Sequence, residues 1–345
     1  MRVLVGDIGG THARMAVVEI TRRKITMLHA RTYPSRAYSA LAPIAREFLA
    51  EVGNGFERAC FGVACPVVGG DCTTPNLPWS VSAARIAAEI GIARTRVIND
   101  LDAVAYGIGR LEAADVVTLQ EGTPVEHGVI AIIGAGTGLG QAYLVWDQGR
   151  YRPLASEGGH ASFAASDPLE WALQRWLTAR YGHVSYERVL SGPGLVSLYH
   201  FLAEREPARV VPAVHADVER EGGAAISRHA LEGRDALCRE ALALFARVYG
   251  GQAGNLALTV LATGGVYVVG GIAPRILDAL RDGAFLAAFR AKGRMGGLLA
   301  RVPVHVVINP SIGLFGAAVA ATDDVDLPES PDVARSTRAE AARGC

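Results

Sequence analysis

Two segments of the chain share one pattern: an apolar strand, a glycine-rich turn, and a second apolar strand. The first reads RVLVGDIGGTHARMAVV, with its turn at Gly6 to Thr11, and the second reads VIAIIGAGTGLGQAYLV, with its turn at Gly134 to Gly140. Glycine accepts positive φ and carries no Cβ, so successive backbone N–H groups can close on an anion. Asp7 in the first turn and the hydroxyls of Thr11 and Thr137 suit a nucleotide phosphate chain with Mg²⁺. A plain glycine-rich hairpin is the competing reading of either turn alone. Repetition of the whole strand–turn–strand unit weighs against it and points to two related halves.

Other glycine-loop sites fail on individual residues. A dinucleotide fingerprint, G-x-G-x-x-G, opens a helix. Here Gly134 and Gly136 are followed by Leu139 at the third glycine position, and the β-rich stretch Gln141 to Val145 comes next. A Walker loop requires Gly-Lys-Ser/Thr, yet the only lysines are Lys24 and Lys292, both in other contexts. The V-A-I-K strand and H-R-D loop of protein kinases are absent as well.

With 345 residues and a formal net charge of +0, the chain has the length of two ordinary domains and no field that favours nucleic acid or a membrane surface. No apolar run reaches the ~18 residues of a spanning helix. The N-terminus enters a strand at once, without the apolar core of a signal peptide, so a cytoplasmic location is expected. The cysteines, Cys60, Cys65, Cys72, Cys238 and Cys345, are odd in number and lack C-x-x-C spacing. They predict neither a disulfide framework nor a zinc site. Cys345 is the final residue and cannot head a prenylation signal.

Along the chain the two opening strands lead to a third, Ile25 to Tyr33, and then to a helix over Ala37 to Glu51, with Leu41, Ala45, Phe48 and Leu49 on one side. A buried strand, Ala59 to Cys65, a helix from Ser82 to Ile90 and a strand from Thr95 to Ile98 follow. That strand delivers Asn99-Asp100 to a helix over Leu101 to Arg110. The pattern restarts near Val129 and then becomes helix-rich: Pro168 to Tyr181, Gly194 to Glu204, Ala224 to Leu231, Arg234 to Tyr249 and Gly251 to Leu261. Strand Val266 to Val269, helix Pro274 to Arg281, strand Val304 to Ile308 and helix Ile312 to Ala321 close the periodic part. Strands alternating with helices predict a mixed α/β fold.

Six segments, GDIGGTHAR, INDLDAVAYGI, GAGTGLG, SEGGHASFA, HVSYERVLSGPGLVSLY and VVGGIAPR, together resemble the bacterial glucokinases of the actin-like sugar-kinase superfamily, from GDIGGT to about Ala321. The resemblance implies two actin-like (ribonuclease H-like) α/β domains facing a central cleft that closes on glucose. It also implies ATP with Mg²⁺ as phosphoryl donor and often a homodimer. The small domain is expected over residues 1–110 with a return at about 302–321, the larger over 111–301, and a disordered tail over 322–345. The cysteine cluster of the repressor-related sugar kinases, which bind structural zinc, does not follow the EGGH segment, so the zinc-free group is the better match. His12 stands where the family pattern leads one to expect Asn.

Phosphoryl transfer requires in-line positioning, charge neutralisation and a base for the attacking hydroxyl. Asp100 is the candidate base: it follows a strand at a helix start, and an ordinary pKa near ~3.9 would leave it ionised. Helix capping by Asn99 or Asp100 is the alternative. The resemblance assigns Asn99, Asp100, Glu157, His160 and Glu187 to glucose, with Asn76 a further candidate. On the nucleotide side it points to Gly6, Asp7, Ile8, Gly9, Gly10 and Thr11, with Asp7 holding Mg²⁺ or its waters. Gly134, Gly136, Thr137 and Gly138 form the second grip. Gly270 and Gly271 either receive adenosine or permit close strand–helix packing. His160 has no second His or Cys at ligand spacing, so no metal is expected there. An ATPase of the actin or chaperone type would share the turns but not the sugar set. A sugar-responsive regulator would need a DNA-reading module, and the chain starts directly in the catalytic fold. Glucose and ATP are the expected partners, with no nucleic acid and no membrane.

Overall fold

The computed structural model describes residues 1–21, 24–74 and 77–323. The chain divides into two compact units, one of Met1–Asp115, Trp146–Ala155 and the chain from Asn309 on, the other of Val116–Val145 and Ser156–Ile308. In the first, β1 (Arg2–Ile8) and β2 (His12–Ile20) pair antiparallel with Ile8 opposite Ala13. The glycine turn therefore contracts to Gly9, Gly10 and Thr11, and Gly6 belongs to the strand. An added Cβ at Gly6 would lie 2.8 Å from the Phe61 ring, so this glycine serves packing. The chain continues through β3 (Ile25–Pro34), α1 (Leu41–Val52), β4 (Arg58–Val63), a short hairpin of β5 (Asp71–Thr73) and β6 (Ser80–Ser82), α2 (Ala83–Ile90), β7 (Arg94–Asn99) and α3 (Asp100–Ile108). The sheet order is β3-β2-β1-β4-β7, with β4 and β7 parallel to β1.

Alternation along β1 builds two cores. Leu4 and Ile8 join Ile44, Phe48 and Ile86 on one face, while Val3 and Val5 join Ala103 and the C-terminal helix on the other. The first helix starts at Leu41 rather than at the expected Ala37: Ser35–Ala37 form a separate 3-10 turn, the chain is extended at Tyr38 and Ala40, and Ser35 is committed to the glycine turn. Its N–H donates to Thr11 O (3.0 Å) and its hydroxyl to Gly9 O (2.8 Å). The cysteines also depart from expectation. Cys65 and Cys72 form a disulfide, their Cα atoms 6.2 Å apart, whereas Cys60 and Cys238 are buried free thiols. Spacing alone missed this pair because chain reversal after Pro66, not a C-x-x-C turn, brings the two residues together.

The second unit contains β8 (Val116–Gln120), β9 (Ile130–Ala135) and β10 (Leu139–Asp147); β11 (Arg150–Ser156) follows, most of it grouped with the first unit. Helices α4 (Pro168–Tyr181), α5 (Gly192–Arg205), α6 (Pro212–Glu221), α7 (Gly223–Leu231) and α8 (Ala236–Thr259) come next. After β12 (Gly265–Val269) the chain runs through α9 (Leu277–Arg281), α10 (Ala284–Arg290), α11 (Gly296–Leu299) and β13 (Val304–Val307). The order β10-β9-β12-β13-β8 repeats the first unit's logic: an antiparallel glycine hairpin with a parallel strand on its other side. Leu139 opposes Ala135, which contracts this turn to Gly136, Thr137 and Gly138 and leaves Gly134 inside β9.

Two expected helices separated at Gly250-Gly251 are instead the single 24-residue α8. Glycine's poor helix propensity favours a break there, but an added Cβ at Gly250 would collide with Phe285 O, and one at Gly254 would lie 2.5 Å from Phe289 O. These glycines let α10 lie against α8. Helix α6 has no counterpart among the expected elements, since only Val214 and Val218 on it are buried and so short a stripe carries little periodicity.

The C-terminal return begins later than residue 302. Strand β13 pairs parallel with β12 and antiparallel with β8, so it belongs to the second unit, and only from Asn309 does the chain rejoin the first. There α12 (Ile312–Ala321) covers Val3, Val5 and Cys60. Thr322 and Asp323, placed in the tail by the sequence reading, are packed: Thr322 is buried and Asp323 pairs with Arg150 at 2.9 Å. Residues 324–345 lie outside the described residues. No helix among the described residues is long and apolar enough to cross a membrane.

Candidate active site

In the first unit, Asp7 stands near the end of β1, directly opposite Arg14 on β2. Arg14 is itself fixed, donating to Pro310 O (2.5 Å) and to Ser311 Oγ (3.4 Å) just before α12. A Cβ added at Gly313 would lie 3.4 Å from the Asp7 carboxyl. The first turn of α12 thus comes close to the carboxylate, an orientation that favours negative charge. Burial raises the Asp7 pKa, and Arg14 offsets part of that rise. The turn beyond it is open: at Gly9 an added Cβ would meet only His12 O, at 3.4 Å. His12 is engaged there through its backbone, accepting from Gly9 N (2.9 Å), which explains why a departure from the family pattern at this side chain leaves the turn intact.

Asn99 and Asp100 divide the two roles weighed for them. Asn99 is the N-cap of α3: its Oδ1 accepts from Leu101 N (2.9 Å), and its Nδ2 donates to Cys65 O (3.1 Å). An amide has two donor protons and two lone pairs, so capacity for a further partner remains. Asp100 is the first helical residue, its Oδ1 accepting from the same Leu101 N (2.9 Å). Gly62 at the end of β4 leaves the room this requires, since a Cβ there would lie 2.9 Å from that of Ala103. The expected ordinary carboxylate is not what forms. Burial first, and then the neighbouring Asp7 carboxylate, push Asp100 up to about 6 against the pull of the Leu101 N–H. Burial pushes Asp102 up to about 6 as well. Asn76 lies outside the described residues.

In the second unit, Glu187 Oε2 accepts from Leu139 N (3.0 Å), and a Cβ at Gly138 would collide with that carboxylate. His160 approaches Glu187 at 3.9 Å through Nδ1 and Glu157 at 3.7 Å through Nε2. The three predicted sugar ligands of this unit are therefore one cluster, held beside the second glycine turn. Glycine is obligatory at 159, because a Cβ there would strike Leu139 O. Gly136 has open space where a Cβ would point, and Thr137 is exposed. Gly270 has φ +87, and a Cβ on it would lie 2.5 Å from Ala135 O, so close packing accounts for it; Gly271 is open. Sequence reasoning missed Arg14, whose only signal was its register opposite Asp7. It also missed Gln141, buried in β10, whose Nε2 has no hydrogen-bond partner among the described residues.

The glucokinase family model matches residues 4–324. The chain is 43% identical to the glucokinase of Synechocystis sp. over 92% of its own length and 97% of that protein's. A crystal structure of glucokinase from an Antarctic psychrotroph superimposes with a TM-score of 0.81 at 34% identity, covering 93% of this chain and 99% of that one. A ROK family glucokinase from Streptomyces griseus shares the fold at a TM-score of 0.65 and 23% identity, covering 94% and 100%. With its two glycine hairpins, its sugar-kinase motifs and these likenesses, the chain belongs to the glucokinase family.

Proposed function

We propose that the chain transfers the γ-phosphoryl group of ATP to the 6-hydroxyl of D-glucose, with Asp100 as general base. The observation that carries this reading is the carboxylate of Asp100 at the start of α3, pushed up to about 6 beside Asp7. A base with a pKa just below the working pH is mostly ionised and still a good proton acceptor. Asp100 takes the proton of the 6-hydroxyl as the new O–P bond forms, while Asn99 retains amide capacity to orient the sugar. Glu157, His160 and Glu187 accept from or donate to the remaining hydroxyls. The Gly9–Thr11 and Gly136–Gly138 turns offer backbone N–H groups to phosphate oxygens, and Gly271 leaves room for adenosine. Asp7, directly or through water, would hold Mg²⁺, which neutralises phosphate charge when bound. A part-buried carboxylate whose cationic neighbour Arg14 is already tied to Pro310 and Ser311 fits that hard cation. A homodimer, which rests on the resemblance, and the cytoplasmic location expected above complete the proposal.

The test is purified protein with Mg-ATP and a panel of hexoses, followed by coupled ADP release. Glucose-dependent ADP production is expected; ATP turnover indifferent to sugar would sink the reading. A second measurement concerns Glu187→Gln, which keeps an acceptor for Leu139 N but removes the charge. A hydrogen bond to a charged group is worth about 1.5–3 kcal/mol, so KM for glucose should rise about 10- to 100-fold with little change in unfolding temperature. An unchanged KM would remove Glu187 from the sugar set.

A further inference from the structure

Away from every residue assigned above, the second unit brings two imidazoles and a carboxylate together where α5 meets α6. His200 lies on α5, and His215 and Glu219 stand one turn apart on α6. His200 Nε2 is 3.2 Å from Glu219 Oε1, and His215 Nε2 is 4.0 Å from the same oxygen. One ligand atom from each of the three falls within 4.8 Å of the other two. A tetrahedral ion with bonds of about 2.0–2.1 Å holds its ligands roughly 3.4 Å apart. The triad is a small side-chain rotation from that shell.

Two further features separate this group from an ordinary surface ion pair. Tyr199, wholly buried, packs against both rings, stacked on His215 (centroids 5.9 Å, 26°) and edge-on to His200 (5.7 Å, 69°). The two imidazoles are thereby held in place by a rigid core side chain. In addition, His215 Nδ1 is shielded from solvent and has no hydrogen-bond partner among the described residues.

We propose that His200, His215 and Glu219 bind a divalent transition ion, Zn²⁺ above all, with a fourth position open to water. Two imidazoles with one carboxylate match Zn²⁺, whereas Mg²⁺ and Ca²⁺ take all-oxygen shells. Bound there, the ion fastens α5 to α6 across the connection 206–211. The site shares no residue with the phosphoryl-transfer set, so it stands or falls independently of that reaction.

The experiment uses the full chain, stripped with chelator and dialysed. Calorimetric titration with ZnCl₂, the visible spectrum on adding Co²⁺, and thermal melts with and without Zn²⁺ supply the readouts. One equivalent bound, tetrahedral Co²⁺ bands and a raised melting temperature are expected. Loss of a second-shell partner typically weakens metal binding 10- to 100-fold, so His215→Ala, which removes a ligand, should weaken it more than about 100-fold and abolish the thermal shift. Glu219→Gln keeps the shape of the exposed side chain while removing the anionic ligand, and it decides the matter if His215→Ala does not fold. Absence of Zn²⁺ binding, or binding and thermal shift unchanged in Glu219→Gln, overturns the proposal and places any zinc at other histidines.

Discussion

Asp100→Asn is expected to lower kcat about 10³-fold while making the protein more stable near neutral pH. The substituted amide keeps an oxygen for Leu101 N, so the start of α3 is preserved. It cannot take a proton, so the activation of the attacking hydroxyl is lost, whereas glucose binding should persist within a few-fold. The stability gain follows from the sign of the shift. The folded-state pKa of Asp100 is about 6, above the 3.8 of the free group, so the folded state binds this proton more tightly. The parent protein therefore loses stability as pH rises from about 4 to about 6, and the loss is complete above that window. Two units correspond to about 3 kcal/mol, and the partial access of water to Asp100 reduces this to about 2. Melts across a pH series should show the variant ahead of its parent at pH 8, with the gap closing toward pH 4. In the parent, kcat/KM should fall below about pH 6 as Asp100 becomes protonated. Equal stability at pH 8 would refute the electrostatics, and turnover within tenfold of the parent would refute the role.

What could be read from the chain alone was whatever repeats or runs continuously. The paired glycine hairpins were visible because an apolar strand on each side of a glycine turn is a local pattern, and the structure only tightened each turn to three residues. The pKa of Asp100 was not visible, because it depends first on burial and then on Asp7, which a strand distant in sequence brings alongside. The link from Glu187 to Leu139 N was hidden for the same reason, and so was the disulfide between Cys65 and Cys72. Glycine itself misled. In α8 it marked helix packing, not a break, whereas at Gly270 the positive φ packed on Ala135 matches one of the two readings weighed for it. The allegiance of β13 is decided by its hydrogen-bonded partners β12 and β8, which no periodicity records.

Gly316→Ala should be the most damaging small substitution in the first unit. An added Cβ there would drive into Ala103 O and lie 2.7 Å from Gly107 N, both backbone atoms of α3 that cannot rotate aside. Gly107 faces the same crossing from the other side, where a Cβ would be 2.8 Å from Ile312 O. The two helices therefore touch backbone to backbone, and one methyl group must force them apart. Overpacking usually costs about 1–3 kcal/mol; with no side chain able to yield, at least about 3 kcal/mol is expected here. The consequence reaches the chemistry, because α3 begins at Asp100 and α12 begins beside Asp7. Separating them shifts the two carboxylates relative to each other, so kcat should fall even in conditions where the variant is fully folded. Gly136→Ala supplies the contrast: its Cβ meets open space, so stability should stay within about 1 kcal/mol while any loss appears as a raised KM for nucleotide. Denaturant melts and steady-state kinetics on both variants read the difference. A Gly316→Ala protein as stable as its parent would mean that α3 and α12 are not in backbone contact, and the account of how Asp7 and Asp100 are held together would fail with it.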